Sequence, residues 1–391
     1  MKITVPVYSI ETLIFTFLLL LAVFNDEKYG TVFGKVFIFI LLFIAFASIK
    51  RNALKRTKKN MIYGTIWCLS FLFSTLIFYG NGFVEGQTFF VICIFIIFFC
   101  VFLGVKLDNR QIRFILAVYV FGGIFMSINI IRNYLAKNYY VNKRASFEVF
   151  GVYKDPNYVA ALIVPIVFIV TMSIFNKKNK IRQMIVLVVI DIGLILAIQF
   201  TGSRAAFVAI VLAVGVYIAL QLLDTSIKTT YKLFLMILVI IGAIAFSVFL
   251  LISTNRLTDF SAYENNIRLI IWSDALNFWS KSPIIGNGAA ATSNYTMTCW
   301  YRYATHNCFF DMFGDSGILG VFCFANIILD VIKKASDRKK VIAFATVCMI
   351  PQAFINGFYT FNFWLVLCLI KLYSDYIREE KTEALSKERR I

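Results

Sequence analysis

Apolar runs of about 17–20 residues recur from one end of the chain to the other, with short polar segments between them. A run of that length is what a helix needs to cross a hydrocarbon core. The pattern predicts spans at roughly 8–24, 32–49, 61–79, 89–105, 114–131, 158–175, 183–200, 205–223, 233–252, 317–332, 342–358 and 359–373. The expected fold class is therefore all-α, a polytopic transmembrane helical bundle of about 12 helices forming a single integral membrane domain over residues 1–391. Pro165 and Pro351 are expected to kink the helices that hold them. The first helix begins near Tyr8 after a single Lys2, with no small-residue cleavage site behind it, so it reads as retained rather than as a signal peptide.

Composition agrees with that reading. Hydrophobic residues make up 60 % of the 391 and charged residues 15 %, with a mean hydropathy of +0.80. The net charge of +18 would suit a nucleic-acid partner if it stood on one soluble face. It does not. When loops are assigned to alternate sides, 27 of the 39 Lys and Arg fall on one side and 12 on the other. This is the positive-inside bias, which puts both termini in the cytoplasm and leaves no nucleic-acid partner to infer.

Two segments between spans on the outer side are long, 132–157 and 253–315. The second has 63 residues, and loops of that length are usually functional. Within it, 264–281 reads as an amphipathic helix with Ile271, Trp272, Ala275 and Trp279 on one side and Asn266, Ser273, Asn277 and Lys281 on the other. Six cysteines fall in apolar spans, while Cys299 and Cys308 lie in this loop, where either free thiols or a disulfide would fit. No internal repeat of the kind found in many secondary transporters is evident.

The candidate chemistry gathers on the same side. His306 is the sole histidine, and its side chain is the one whose ordinary pKa lies near neutrality. Arg204, in Thr201-Gly202-Ser203-Arg204, would sit in the first turn of a helix with Ser203 as N-cap. A cation placed against the helix dipole makes sense where an anion binds, although an interfacial contact to lipid phosphate would also explain it. Arg268 projects from the apolar side of its helix, among the tryptophans, which suits either an anionic ligand or a snorkelling side chain. Lys154 could add charge to an anion site, while Asp155-Pro156 reads as the N-cap and first residue of the sixth span. Arg302 and Asn307 flank His306 and complete the candidate binding set. Asp191, within a span, is a further ionisable residue to place, and a bond to a neighbouring helix would account for it. No cofactor is expected, and no Walker A motif, Asp-x-Asp pair or zinc-ligand spacing occurs.

In their order, Thr201–Ala206, Asn266-Ile267-Arg268 through Trp272 to Ser282–Gly288, Thr305-His306-Asn307 and Gly317-Ile318-Leu319-Gly320 resemble the O-antigen polymerase and O-antigen ligase family of bacterial membrane glycosyltransferases. The resemblance covers roughly 185–325. It implies a GT-C-like membrane fold and a site on the outer face of the bacterial cytoplasmic (inner) membrane. The partners it implies are undecaprenyl-diphosphate-linked oligosaccharide as donor and acceptor, membrane lipids, and a chain-length regulator. It also implies that Arg204 and Arg268 hold the lipid diphosphate while His306 acts near the acceptor hydroxyl. The chain departs from the ligases at Ala304, where they often carry a second histidine, and at Asn356, where they carry a late acidic residue. The expected function is therefore a metal-independent polymerase of lipid-linked repeat units. The alternatives are a ligase that transfers glycan to lipid A-core and, from another class, a flippase or transporter of the same lipid-linked sugar.

Overall fold

The computed structural model describes residues 55–140, 143–149, 151–175, 180–224, 230, 262–299 and 303–388. The expected spans at 8–24, 32–49 and 233–252 lie outside them. In chain order the helices are α1 (Lys58–Phe78), α2 (Gly86–Phe102), α3 (Asn109–Leu135), α4 (Pro156–Ile174), α5 (Ile181–Thr201), α6 (Arg204–Leu222), α7 (Ala262–Trp279), α8 (Ala291–Cys299), α9 (Cys308–Lys333), α10 (Arg338–Met349) and α11 (Phe361–Glu388). A two-stranded antiparallel hairpin, β1 (Glu148–Val149) and β2 (Val152–Tyr153), lies between α3 and α4.

Six helices among the described residues, α1, α3, α4, α5, α6 and α9, are long and apolar enough to cross a membrane. α2 is apolar but has only 17 residues. The expectation of about twelve spans is thus met only in part. Two of the expected boundaries also move. α9 begins at Cys308, so Asp311 and Asp315 belong to a helix and not to the preceding loop. The span expected over 342–358 is not one helix. α10 stops at Met349 and Pro351–Phe354 forms a 3₁₀ turn, because Pro351 has no N–H to continue the α-helical ladder. Pro165, by contrast, is carried inside α4.

Apolar side chains on the outer faces of these helices stay exposed, as a hydrocarbon solvent allows: Phe73, Phe121, Phe125 and Phe175 are examples. The core runs along α11, where Phe363 through Tyr373 are buried without a break. Aromatic rings hold it together. Trp364 lies 6.0 Å from Trp67 and 6.1 Å from Phe95, and Tyr373 stacks on Phe344 at 4.3 Å. Asp191 is buried in α5, and Thr171 of α4 donates to its carboxylate at 2.8 Å, so its bond is to a neighbouring helix as expected.

The alternation of helices gives the bundle two chemically different ends. One end joins basic segments to the helix termini: Lys371 donates to the Val105 carbonyl at 2.6 Å, and Asn60 reaches Asp330 at 2.8 Å. The other end collects the β-hairpin, the termini of α5 and α6, helices α7 and α8, and the segment 303–307. All described candidate site residues lie at this second end.

Candidate functional site

The floor of this end is a broken helix. Gly317 has φ 63° and ψ −171°, which splits α9 into Cys308–Ser316 and the longer segment Ile318–Lys333. A helix end leaves carbonyls and N–H groups without partners. Here the run Ser282–Gly288 supplies them. Pro283 and Ile284 accept from the N–H groups of Ile318 and Leu319 at 2.9 and 3.1 Å, while Asn287 and Gly288 donate to the carbonyls of Gly314 and Asp315 at 2.9 and 3.1 Å. The backbones meet so closely that a Cβ on Gly286 would fall 2.3 Å from the Asp315 carbonyl. The two glycine motifs that carried the family resemblance therefore act as a matched pair that seals one helix break.

The short segment after the loop is pinned by buried polar groups. Thr292 N–H donates to the Asp315 carboxylate at 2.7 Å, the Tyr359 hydroxyl donates to its other oxygen, and Ala290 N–H donates to that hydroxyl at 2.8 Å. Burial and the nearby Asp315 raise the Tyr359 phenol well above its ordinary pKa, which keeps the proton it donates.

α7 lies across this floor much as its pattern predicts. Ile271, Ala275 and Phe278 are buried, while Ser273, Asn277 and Lys281 are exposed. Trp279 packs on Phe313 at 4.3 Å and Trp272 on Phe310 at 5.4 Å. Arg268 stands one turn before Ile271 and Trp272 and is half-buried.

His306 occupies the turn into α9 with φ 47°, a left-handed conformation that favours glycine. The turn is fixed on both sides. Trp272 donates its indole N–H to the Thr305 carbonyl at 2.9 Å, and Asn307 caps α9 by accepting from Phe309 and Phe310 N–H at 3.0 and 3.2 Å. The Thr305 hydroxyl donates to Asp311 at 2.6 Å and lies 3.4 Å from the Asn356 side-chain oxygen. Asn356 in turn accepts at its carbonyl from the Tyr158 hydroxyl at 2.8 Å. Ala304 is buried beside this turn.

The remaining candidates are set by the hairpin. Asp155 caps α4 by accepting from Asn157 N–H at 2.7 Å, with Pro156 at the first helical position. Arg144, buried, donates through Nε to the Thr201 carbonyl at 2.7 Å and through Nη2 to Asn157 at 2.8 Å. It thereby fastens the start of α4 to the turn that launches α6. Arg204 is the first residue of α6, half-buried and set against the helix dipole. Ser203 occupies the N-cap position, but its side chain makes no capping bond, contrary to expectation. Lys154 is 7 % exposed, with its ammonium 5.9 Å from the Phe147 ring centroid. Arg302 lies outside the described residues. Cys299 is exposed and Cys308 buried, both as free thiols, so the disulfide alternative is not realised.

The charges converge on His306. Its pKa is lowered below the ordinary imidazole value, first by burial and then by the Arg268 guanidinium, with the Asp155 carboxylate opposing both. The structure thus brings Arg268 and Asp155 each within electrostatic reach of His306, and Arg144 ties the Arg204 turn to the segment that carries Asp155. Sequence reasoning gave Asp155 a capping role alone and did not single out Arg144 or Asp311. Arg144 carried no local signal, because it sits in an irregular loop and its partners are 13 and 57 residues away. Asp311 was legible only as one of two acids downstream of the histidine. Among the described residues no group of three or more His, Cys, Asp or Glu side chains is arranged to hold a metal ion.

A multi-helix membrane protein with a histidine, two arginines and a lysine at one end is the class that fold and site define. Residues 189–325 match the model of a family described as O-antigen ligase. The match covers about a third of the chain, takes in Arg204, Arg268, His306 and both glycine motifs, and bears out the resemblance to the O-antigen polymerase and ligase family. None of the curated proteins compared with the chain matches it.

Proposed function

We propose that this protein is a metal-independent glycosyltransferase that polymerises undecaprenyl-diphosphate-linked oligosaccharide units at the outer face of the bacterial cytoplasmic membrane. The observation that supports it most is the placement of a deprotonation-prone histidine beside Arg268, at the end of the bundle that also bears Arg204. In the reaction, a hydroxyl of the acceptor glycan attacks the anomeric carbon of the donor. The carbon–oxygen bond to the diphosphate breaks, the electron pair leaves with the polyprenyl diphosphate, and His306 takes the hydroxyl proton. Arg204 and Arg268 stabilise the negative charge that builds on the departing diphosphate, where fixed donors are most effective. Neutral imidazole is the form that accepts a proton, and both burial and Arg268 favour it. A correctly placed general base contributes roughly 10²–10⁴-fold.

A second reading, transfer of a finished glycan to lipid A-core, is favoured by the description of the matching family as a ligase. Against it stand Ala304 and Asn356 in place of the ligase residues. The test is the purified chain in liposomes with defined lipid-linked repeat units, a chelator and no nucleotide. A ladder of longer lipid-linked products is expected. Product that forms only once lipid A-core is added would establish the ligase, and no glycosidic product with either acceptor would overturn both readings.

A further inference from the structure

At the opposite end of the bundle from His306 lies a cavity of about 1360 Å³ that the proposed reaction does not use. It exceeds the roughly 300–1,000 Å³ of an ordinary small-molecule pocket. Its existence follows from the shape of α5. The buried residues of that helix, Asp191, Leu194, Ala197, Ile198 and Thr201, all belong to its second half. The first half carries exposed Ile181, Ile185 and Val186 and buries nothing, so α5 stands off the bundle there.

The cavity is chemically two-sided. Its upper wall is apolar, from Val120, Phe121 and Ile124 of α3, Ile169 of α4 and Leu187 of α5. Phe121 is also exposed on the outer face of α3, so this wall is continuous with the lipid-facing surface. Its lower rim comes from the turn between α9 and α10 and from the far end of α11, and it is basic. Three rim cations have carboxylate partners: Lys339 with Asp224, Lys340 with Asp337 at 3.8 Å, and Arg113 with Glu383 at 3.1 Å. Glu380, the remaining rim acid, acts on Tyr376 one turn before it. Among the described residues, Arg338 and Lys381 line the rim without a carboxylate partner.

An apolar wall open to lipid and surplus cations at the rim match two parts of one molecule: acyl chains and a phosphate.

We propose that this cavity binds an anionic phospholipid of the surrounding bilayer. Its phosphate sits at the rim that carries Arg338 and Lys381, and its chains lie against α3 and α5. The excess of basic residues at this end of the bundle suits such a lipid, because juxtamembrane cations attract anionic headgroups.

Native mass spectrometry on the full chain in detergent tests this without any activity assay, so its outcome is independent of the glycosyltransferase reading. Phosphatidylglycerol should be retained in preference to phosphatidylcholine by roughly tenfold or more, as two cations at headgroup level would give. The double variant Arg338→Gln/Lys381→Gln should lose that preference. Equal retention of the two lipids by the unmodified protein would overturn the proposal. Displacement of phosphatidylglycerol by inorganic phosphate alone would show a free-anion site instead. Displacement by undecaprenyl phosphate at concentrations below those of phosphatidylglycerol would assign the cavity to the polyprenyl lipid. Either result would overturn the phospholipid assignment.

Discussion

The indole N–H of Trp272 donates to the carbonyl of Thr305 at 2.9 Å, so the helix that bears Arg268 holds the backbone that bears His306. Arg268 and His306 are 38 positions apart in the chain, and this bond sets their spacing. Trp272→Phe keeps the ring packing on Phe310 and removes only the donor. It should cost about 0.5–1.5 kcal/mol of stability, the value of a neutral hydrogen bond. Turnover should fall further, by roughly tenfold or more, because small misplacements of catalytic groups are expensive. Thermal unfolding and initial rates on the same preparation compare the two losses, and an equal loss in both would remove the positioning role.

The two charges that act on His306 should move its titration in opposite directions. A proton acceptor works when neutral, so the rate should rise with pH through a value below the ordinary imidazole pKa and then level off. Arg268→Gln removes a charge that lowers the pKa and should displace the rise to higher pH. Asp155→Asn removes a charge that raises it, keeps an amide that can cap α4, and should displace the rise to lower pH. Complete pH–rate profiles for the three proteins decide the matter. Parallel shifts, or a rate that falls with rising pH, would exclude His306 as the base.

Arg204 and Arg268 should tolerate lysine poorly. Lysine keeps the charge and loses the planar fork that meets two phosphate oxygens at once. We expect Arg204→Lys and Arg268→Lys each to lower kcat/KM by about 10²-fold at unchanged protein level, a loss typical of removing a fixed donor to a developing anion. Full activity in either lysine variant would leave that arginine as an interfacial side chain.

The seal across the helix break should be intolerant of a single methyl group. Gly286→Ala places a Cβ 2.3 Å from backbone atoms of Asp315, at a residue with φ 80°. The expected penalty is more than about 2 kcal/mol, read as loss of folded protein from the membrane. Gly193→Ala in α5 meets nothing within 4 Å and serves as the control, with no loss expected. Equal recovery of both variants would show that the two motifs do not need their close contact.

Cys299 offers a direct test of sidedness, since it is the exposed thiol among the described cysteines. A membrane-impermeant maleimide added to intact spheroplasts should label it, and Cys299→Ser should abolish that label. Labelling that appears only after permeabilisation would place the His306 end of the bundle in the cytoplasm.

Much of the helix layout was legible because hydrocarbon imposes one rule on every span, and α7 was legible because its two faces differ. The break at Gly317 was legible only as the start of a span, because Gly314-Asp315-Ser316-Gly317 is polar and poor in helix formers. That Cys308–Ser316 before it is also helical was not legible, since the partners that make the break tolerable come from Pro283–Gly288. The end of α10 escaped for the opposite reason: Pro351 was read as a kink inside a long apolar run, and it terminates the helix instead. In the site, His306, Arg204 and Arg268 stood out as unusual charges in apolar surroundings. Asp155 had an adequate local explanation as a cap, so nothing in its neighbourhood pointed to the histidine 151 positions downstream.

The break at Gly317 also fixes how deep the site lies. From Ile318 to Lys333 the second segment of α9 has 16 residues, which at 1.5 Å each is about 24 Å. The hydrocarbon core it must match is about 30 Å thick. A segment shorter than the bilayer draws the neighbouring lipid inward or sinks its own end below the headgroups. His306, held just above that end, would then meet a polyprenyl-anchored substrate from the side. The diphosphate would slide in from the leaflet at its resting depth, with no need to be lifted into water before reacting.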